Sequence, residues 1–161
     1  MRDEDPCSDE LSAAVVAFTQ RGTVEPGLDV EGDALLQLRK ACRILDGIQA
    51  LRDIDRHHTL VVEGSFAALE RTVQFYVVER ELAEVDDLMS HEDAFEYGMQ
   101  AGVFSEATKD ELVELWQTYR NGTYYQRERA TAEQAEAMLA YAEGMHDHVP
   151  KLAGRVHDCI C

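Results

Sequence analysis

The sequence predicts an all-α fold, an up-and-down antiparallel bundle of four to five main helices. Apolar residues recur at helical spacing through most of the 161-residue chain. No segment reads as a convincing strand, and no internal repeat is visible. The breaks between periodic segments are short, about 2–8 residues, which favours antiparallel neighbours. The length suits one domain with a real core. The expected division is an acidic lead-in with a short helix over residues 1–32, then the bundle over residues 33–161.

Residues 1–10 read as an acidic lead-in, and Asp9 to Gln20 carries a weak helical pattern through Leu11, Val15, Val16 and Phe18. The stretch Arg21-Gly22-Thr23-Val24-Glu25-Pro26-Gly27 breaks it. Asp33 is placed to cap the next helix, which carries the stripe Leu35, Leu38, Cys42, Leu45 and Ile48 and runs out near Asp55. After the turn Arg56-His57-His58-Thr59, a third helix spans about Leu60 to Leu82, with Val62, Phe66, Leu69, Val73 and Val77 on one face. Gly64, Ala67 and Ala68 are small enough to let a neighbour approach closely. Phe75-Tyr76-Val77-Val78 suits a strand in isolation, but the apolar spacing on both sides makes it helical. Ser90 caps a helix with acids in its first turn, carrying Phe95 and Met99 and stopping at Gly102. Ser105 starts the next, with Leu112, Leu115, Trp116 and Tyr119 as its stripe. Thr131-Ala132-Glu133-Gln134 fits a capping box, opening a helix through Met138, Leu139, Ala142 and Met145 that Pro150 ends or kinks.

The net charge is −17, from 32 acids against 15 bases, of which three are lysines and twelve arginines. Acid is spread along the chain beside strong helical periodicity, which argues against disorder. A halophilic cytoplasm explains it best. Molar salt screens such repulsion to a Debye length of about 3 Å, while the carboxylates keep the surface hydrated. The alternative is an acidic domain that binds a basic partner. At low salt this charge opposes nucleic-acid binding; in molar salt a small arginine cluster can still contact RNA. No run of 18 apolar residues spans a membrane, and the first residues lack the apolar core of a secretory signal. The expected location is cytoplasmic.

The chemistry concentrates in Tyr119-Arg120-Asn121-Gly122-Thr123-Tyr124-Tyr125. If the helix continues through it, Arg120 pairs with Tyr124 and Asn121 with Tyr125 at i,i+4. A guanidinium, an amide and two phenols on adjoining faces make a surface able to hold a phosphate, a nucleotide or a carboxylate. A plainer reading has Trp116, Tyr119 and Tyr124 packing in the bundle, Arg120 paired with a glutamate, and Asn121-Gly122 marking a helix end.

The order of elements also carries a resemblance. An apolar helix contains Phe66-Ala67-Ala68-Leu69-Glu70. A short helix opens with His91 and closes at Gly102, the next ends in Arg120-Asn121, and a Thr-capped helix follows. Over about residues 33–150 this resembles the HEPN superfamily, small all-α domains of toxin–antitoxin and antiphage systems. Its nuclease members use an arginine, four to six residues, then a histidine. Here Arg120 and Asn121 match the start, but the histidine position falls on Tyr125, Gln126 or Arg127. The resemblance implies metal-independent RNA cleavage, in which a 2′-oxygen attacks the adjacent phosphate. Histidine, titrating near 6.5, suits the proton transfer, whereas tyrosine, near 10, does not. RNA or nucleotide binding with weak or absent cleavage is therefore expected, with Arg120 and Tyr125 at the catalytic position and Asn121, Tyr124 and His91 binding. The resemblance also implies a homodimer with a shared cleft, and a small nucleotidyltransferase as a possible partner. A non-catalytic module that pairs with such a partner is the alternative.

His91 alone reads more simply as an exposed first-turn histidine, and His57-His58 as a polar turn. His146, His148, His157, Cys159 and Cys161 raise the question of zinc. On a helix, however, i and i+2 point about 200° apart, and a tail Cys-x-Cys is not a zinc-knuckle spacing. No metal is expected. Without CxxC spacing in a cytosolic context no structural disulfide is expected either, and Cys42 reads as a small core residue. Phosphate loops, Rossmann glycines and nucleophile elbows are absent, as is the Glu-x-x-His pattern of di-iron bundles at Glu79, Glu81 and Glu84, and no cofactor is expected.

Overall fold

Helix follows helix along the whole described chain, and no strand occurs among the described residues. The computed structural model describes residues 7–19, 22, 25–88 and 90–161, apart from the side chain of Tyr124. The helices are α1 (Ser8–Thr19), α2 (Asp33–Asp53), α3 (His58–Glu79), α4 (His91–Gln100), α5 (Glu106–Tyr119) and α6 (Ala132–Ala153). A 3₁₀ turn, Val85–Leu88, precedes α4, and another, Val156–Asp158, follows α6. No helix is long and apolar enough to cross a membrane among the described residues.

The core forms on α3, which buries residues on most of its circumference: Phe66, Leu69, Val73, Phe75 and Val77 are all at or below 1% exposed. α2 returns along it as a hairpin. Gln37 meets Arg71 near one end, and Ile48 lies where a Cβ on Gly64 would stand near the other. That close approach is what the small residue at Gly64 permits. α6 also lies on α3, but in the same direction: Thr72 meets His146 and Glu79 meets Arg155. Strict up-and-down alternation therefore does not hold for the long helices. The reason is length. At about 1.5 Å per residue, ten-residue α4 is less than half as long as α3 and cannot carry the chain back to its start.

Several termini form as the local sequence requires. Ser90 and Ser105 accept hydrogen bonds from the backbone of Asp93 and Thr108. Thr131 and Gln134 complete both halves of a capping box. Two expectations need correction. Gly32, not Asp33, is the N-cap of α2, and Asp33 occupies the first turn, where its charge suits the helix dipole. α6 runs through Pro150 to Ala153 and ends at Gly154, whose φ of 71° gives the left-handed stop. α1 buries no residue: Leu11, Val15, Val16 and Phe18 are all more than half exposed.

Candidate functional site

Trp116 is the floor of the first cluster. It faces inward from α5 and is 7% exposed, with the edge of Phe66 against it at 4.9 Å between ring centres. Two groups of opposite origin pack on its indole. The Arg120 guanidinium carbon lies 4.6 Å from the ring centre, a cation–π distance. The His91 imidazole lies 3.9 Å away, centre to centre, from the first residue of α4. His91 Nδ1 contacts Glu70 Oε2 of α3.

Glu70 is itself fixed. Gln74 Nε2 donates to Glu70 Oε1 at 2.9 Å and to the Leu88 carbonyl at 2.8 Å, while Arg71 donates to Gln74 Oε1 and Gln37 Oε1. A buried carboxylate inside such a network is held against one ring nitrogen of the imidazole as a close contact, without the geometry of a hydrogen bond. The arrangement thus offers a guanidinium for an anion and an oriented imidazole beside the same indole.

The motif itself departs from the α-helical expectation. α5 ends at Tyr119, and Arg120–Tyr124 forms a π-helical turn in place of a continued α-helix; the expected pairing of Arg120 with Tyr124 involves a side chain outside the described residues. Thr123 Oγ1 donates to the Tyr119 carbonyl at 2.8 Å, competing with the backbone where the helix widens. Glu128 lies against buried Gly122, where any Cβ would meet its carboxylate. Asn121 and Tyr125 are exposed, Tyr125 to 69%; the side chain of Tyr124 lies outside the described residues. Burial raises the Tyr119 phenol above its ordinary 10.0, reinforced by nearby Glu63 and partly offset by the neighbouring Thr123 and Thr59 hydroxyls. Below this turn a cleft of about 510 Å³ opens between α5 and α6, with Val62, Phe66, Leu112 and Met138 in its lining.

The model of the family described as Domain of unknown function (DUF8154) matches residues 2–161. The chain belongs to the DUF8154 family. No curated protein and no solved structure matches it. The DUF8154 match takes in both clusters of polar side chains that pack on α3.

The second cluster brings together Cys42, His146, Cys159 and Cys161, whose ligand atoms all lie within 4.8 Å of one another. His146 Nε2 is 3.2 Å from Cys42 Sγ, 3.2 Å from Cys159 Sγ and 3.3 Å from Cys161 Sγ. Its Nδ1 is 2.9 Å from Thr72 Oγ1 of α3. Burial lowers the imidazole below its ordinary 6.5, with Asp147 opposing, so the neutral ring is favoured. Cys42 and Cys161 are joined as a disulfide, against the expectation of none, because the fold brings together residues 119 apart in sequence. Local spacing considered only neighbours: His148 is indeed exposed and takes no part, while Cys42 arrives from α2.

Sequence reasoning named Arg120 and His91 but not what joins them. Glu70 carried a usable signal, a carboxylate among buried apolar residues of α3. Trp116 read only as core.

Proposed function

We propose that this chain is a HEPN-like protein that binds RNA or a nucleotide through its phosphate at Arg120, with His91 as the proton-carrying group beside it. One observation carries the reading: Arg120 and His91 pack on the same indole, and Glu70 orients His91. The imidazole that the resemblance seeks shortly after Arg120 is supplied instead from the start of α4. Asn121 and Tyr125, exposed on the π turn, then contact base or ribose rather than replace the histidine. Cleavage, where it occurs, follows the metal-independent route, with Arg120 neutralising phosphate charge and His91 moving the proton. A homodimer belongs to the same reading.

The test is fluorescence anisotropy of an end-labelled single-stranded RNA in molar KCl. A charged hydrogen bond is worth about 1.5–3 kcal/mol, so Arg120→Ala is expected to weaken binding about tenfold or more. Unchanged affinity in that variant overturns the proposal. Any cleavage of the same RNA is expected to fall in Arg120→Ala and His91→Ala alike.

The apolar cleft between α5 and α6 favours a second reading, a module that docks a protein partner such as a small nucleotidyltransferase. Light scattering separates the two. A clean monomer without affinity for RNA favours the docking module, whereas an RNA-binding dimer favours the first reading.

A further inference from the structure

A disulfide between Cys42 and Cys161 accounts for two of the four groups gathered at the end of α6. It leaves unexplained why a third thiol, Cys159, stands 3.2 Å from Cys42 Sγ, and why His146 turns the same ring nitrogen toward all three sulfurs. An imidazole needs no such company to be satisfied. A tetrahedral metal does need it, with three soft thiolates and one nitrogen around a single point.

We propose that, once a dithiol reductant has given two electrons and two protons to the Cys42–Cys161 disulfide and left as its own disulfide, the three thiols and His146 form a structural zinc site of the Cys₃His type. Zinc–sulfur and zinc–nitrogen bonds of about 2.3 and 2.0 Å place tetrahedral ligand atoms roughly 3.5–3.8 Å apart. The nitrogen-to-sulfur separations, 3.2–3.3 Å, need only a small outward shift, while the Cys42 and Cys161 sulfurs part from their bonded distance once reduced. The zinc ion displaces the three thiol protons to solvent and accepts the lone pair of His146 Nε2. Four protein ligands fill the coordination sphere, which marks a structural rather than catalytic centre.

The surroundings are built for this. Nδ1 of His146 is hydrogen-bonded to Thr72 Oγ1 at 2.9 Å, and the Thr72 hydroxyl can accept from Nδ1 in the tautomer whose Nε2 lone pair ligates. The tail that delivers Cys159 and Cys161 is pinned on both sides of α6. Arg39 Nε donates to the Asp158 carbonyl at 2.8 Å, and Arg155 pairs with Glu79 at 2.6 Å and with Asp158. A cavity of about 660 Å³ beside the quartet gives the ion a path, and Asp46, Glu143 and Asp147 in its lining attract cations.

The experiment uses the full chain, purified reduced and without chelator, with metal content measured by plasma mass spectrometry. One zinc per chain is expected. Cobalt chloride titrated into reduced apoprotein is expected to give sulfur-to-cobalt charge-transfer absorption and the visible bands of a tetrahedral ion. Cys159→Ser, at a half-buried position, is expected to lose charge-transfer intensity and metal affinity while keeping its helical circular dichroism. Cys7→Ser, at an exposed thiol outside the quartet, is expected to change neither. Thr72→Val is expected to weaken metal binding about 10- to 100-fold. The proposal is overturned if reduced chain takes up no metal, or if Cys159→Ser binds zinc and cobalt as the unaltered chain does. Peptide mapping that finds Cys42 and Cys161 oxidised in metal-free protein even under reductant overturns it as well.

Discussion

Glu70 and Thr72 stand two residues apart on α3, about 200° apart around the helix, and each anchors a different cluster. Glu70 turns toward α4 and holds His91 against Trp116. Thr72 turns toward α6 and holds His146 against three sulfurs. The first cluster ends at a surface: Asn121 and Tyr125 are exposed, and Arg120 and His91 are half-buried. The second draws its ligand atoms together around a buried pair, His146 at 5% and Cys42 at 2% exposed, with Cys159 half-buried and Cys161 exposed at the rim. One helix thus presents an open polar site on one side and a compact sulfur–imidazole cluster on the other. The first reaches solvent through groups suited to a ligand, whereas the second turns its ligand atoms toward one another. That difference is why the first is proposed to bind and the second to staple.

The largest expected effect tests whether the two sides are separate. Trp116→Ala removes the indole beneath both Arg120 and His91 and leaves a cavity beside Phe66, at a cost of about 3–5 kcal/mol in urea unfolding. RNA affinity is expected to go with it, while zinc content stays at that of the unaltered chain. Loss of zinc in this variant breaks the separation and makes α3 a conduit between the sites. Next in size is metal removal. Zinc held at about a hundred times its dissociation constant stabilises by about 2.7 kcal/mol, and a chelator should remove that much. Arg120-dependent RNA binding is expected to survive chelation. A parallel loss of both would mean that the C-terminal staple sets the geometry at Trp116.

Legibility in the sequence follows the same divide. Helices were readable because Ser90, Ser105 and the Thr131–Gln134 box act over one turn, and because apolar spacing repeats every three or four residues. The motif at Arg120 was readable for the same local reason. Its π turn was not, since widening depends on the Thr123 hydroxyl choosing the Tyr119 carbonyl. Nor was the meeting of Arg120 with His91, which requires α4 and α5 to pack with a particular tilt. The quartet was least legible of all. Its members lie at positions 42, 146, 159 and 161, and only the parallel docking of α6 on α3, beside α2, brings them together. His146 and His148 lie on one helix with only His146 facing the cluster, whereas Cys42 comes from the other end of the chain.

A smaller effect probes how far a disturbance travels along α6. Thr131→Ala removes the side-chain half of the capping box, the bond from the Gln134 N–H to Thr131 Oγ1, and leaves the bond from the residue 131 N–H to Gln134 Oε1, at about 1 kcal/mol. Fraying is confined to the first turn, near the loop that carries Glu128 back to Gly122, and some 15 residues from His146. Hydrogen exchange is expected to quicken at the start of α6 and in residues 125–131, with metal content unchanged. Faster exchange at residues 145–161 would show that the quartet depends on the cap as well.

The smallest expected effect separates the sides by pH. Burial raises the Tyr119 phenol above 10.0 in the folded chain, so folding favours its protonated form. Its contribution to stability is fully present below the unfolded value near 10 and is lost as pH rises from there through the folded value. Tyr141 is raised too, by burial first and then by Glu111, so the alkaline loss has two sources. Tyr119→Phe removes one of them and should make the fall in Tm between about pH 9 and 11 shallower without abolishing it. The quartet holds no tyrosine, so this change in slope should be the same with zinc bound and with zinc removed. An unchanged slope in Tyr119→Phe would mean that water reaches the phenol beneath the π turn, and that the floor of the open site is wetter than its packing against Phe66 implies.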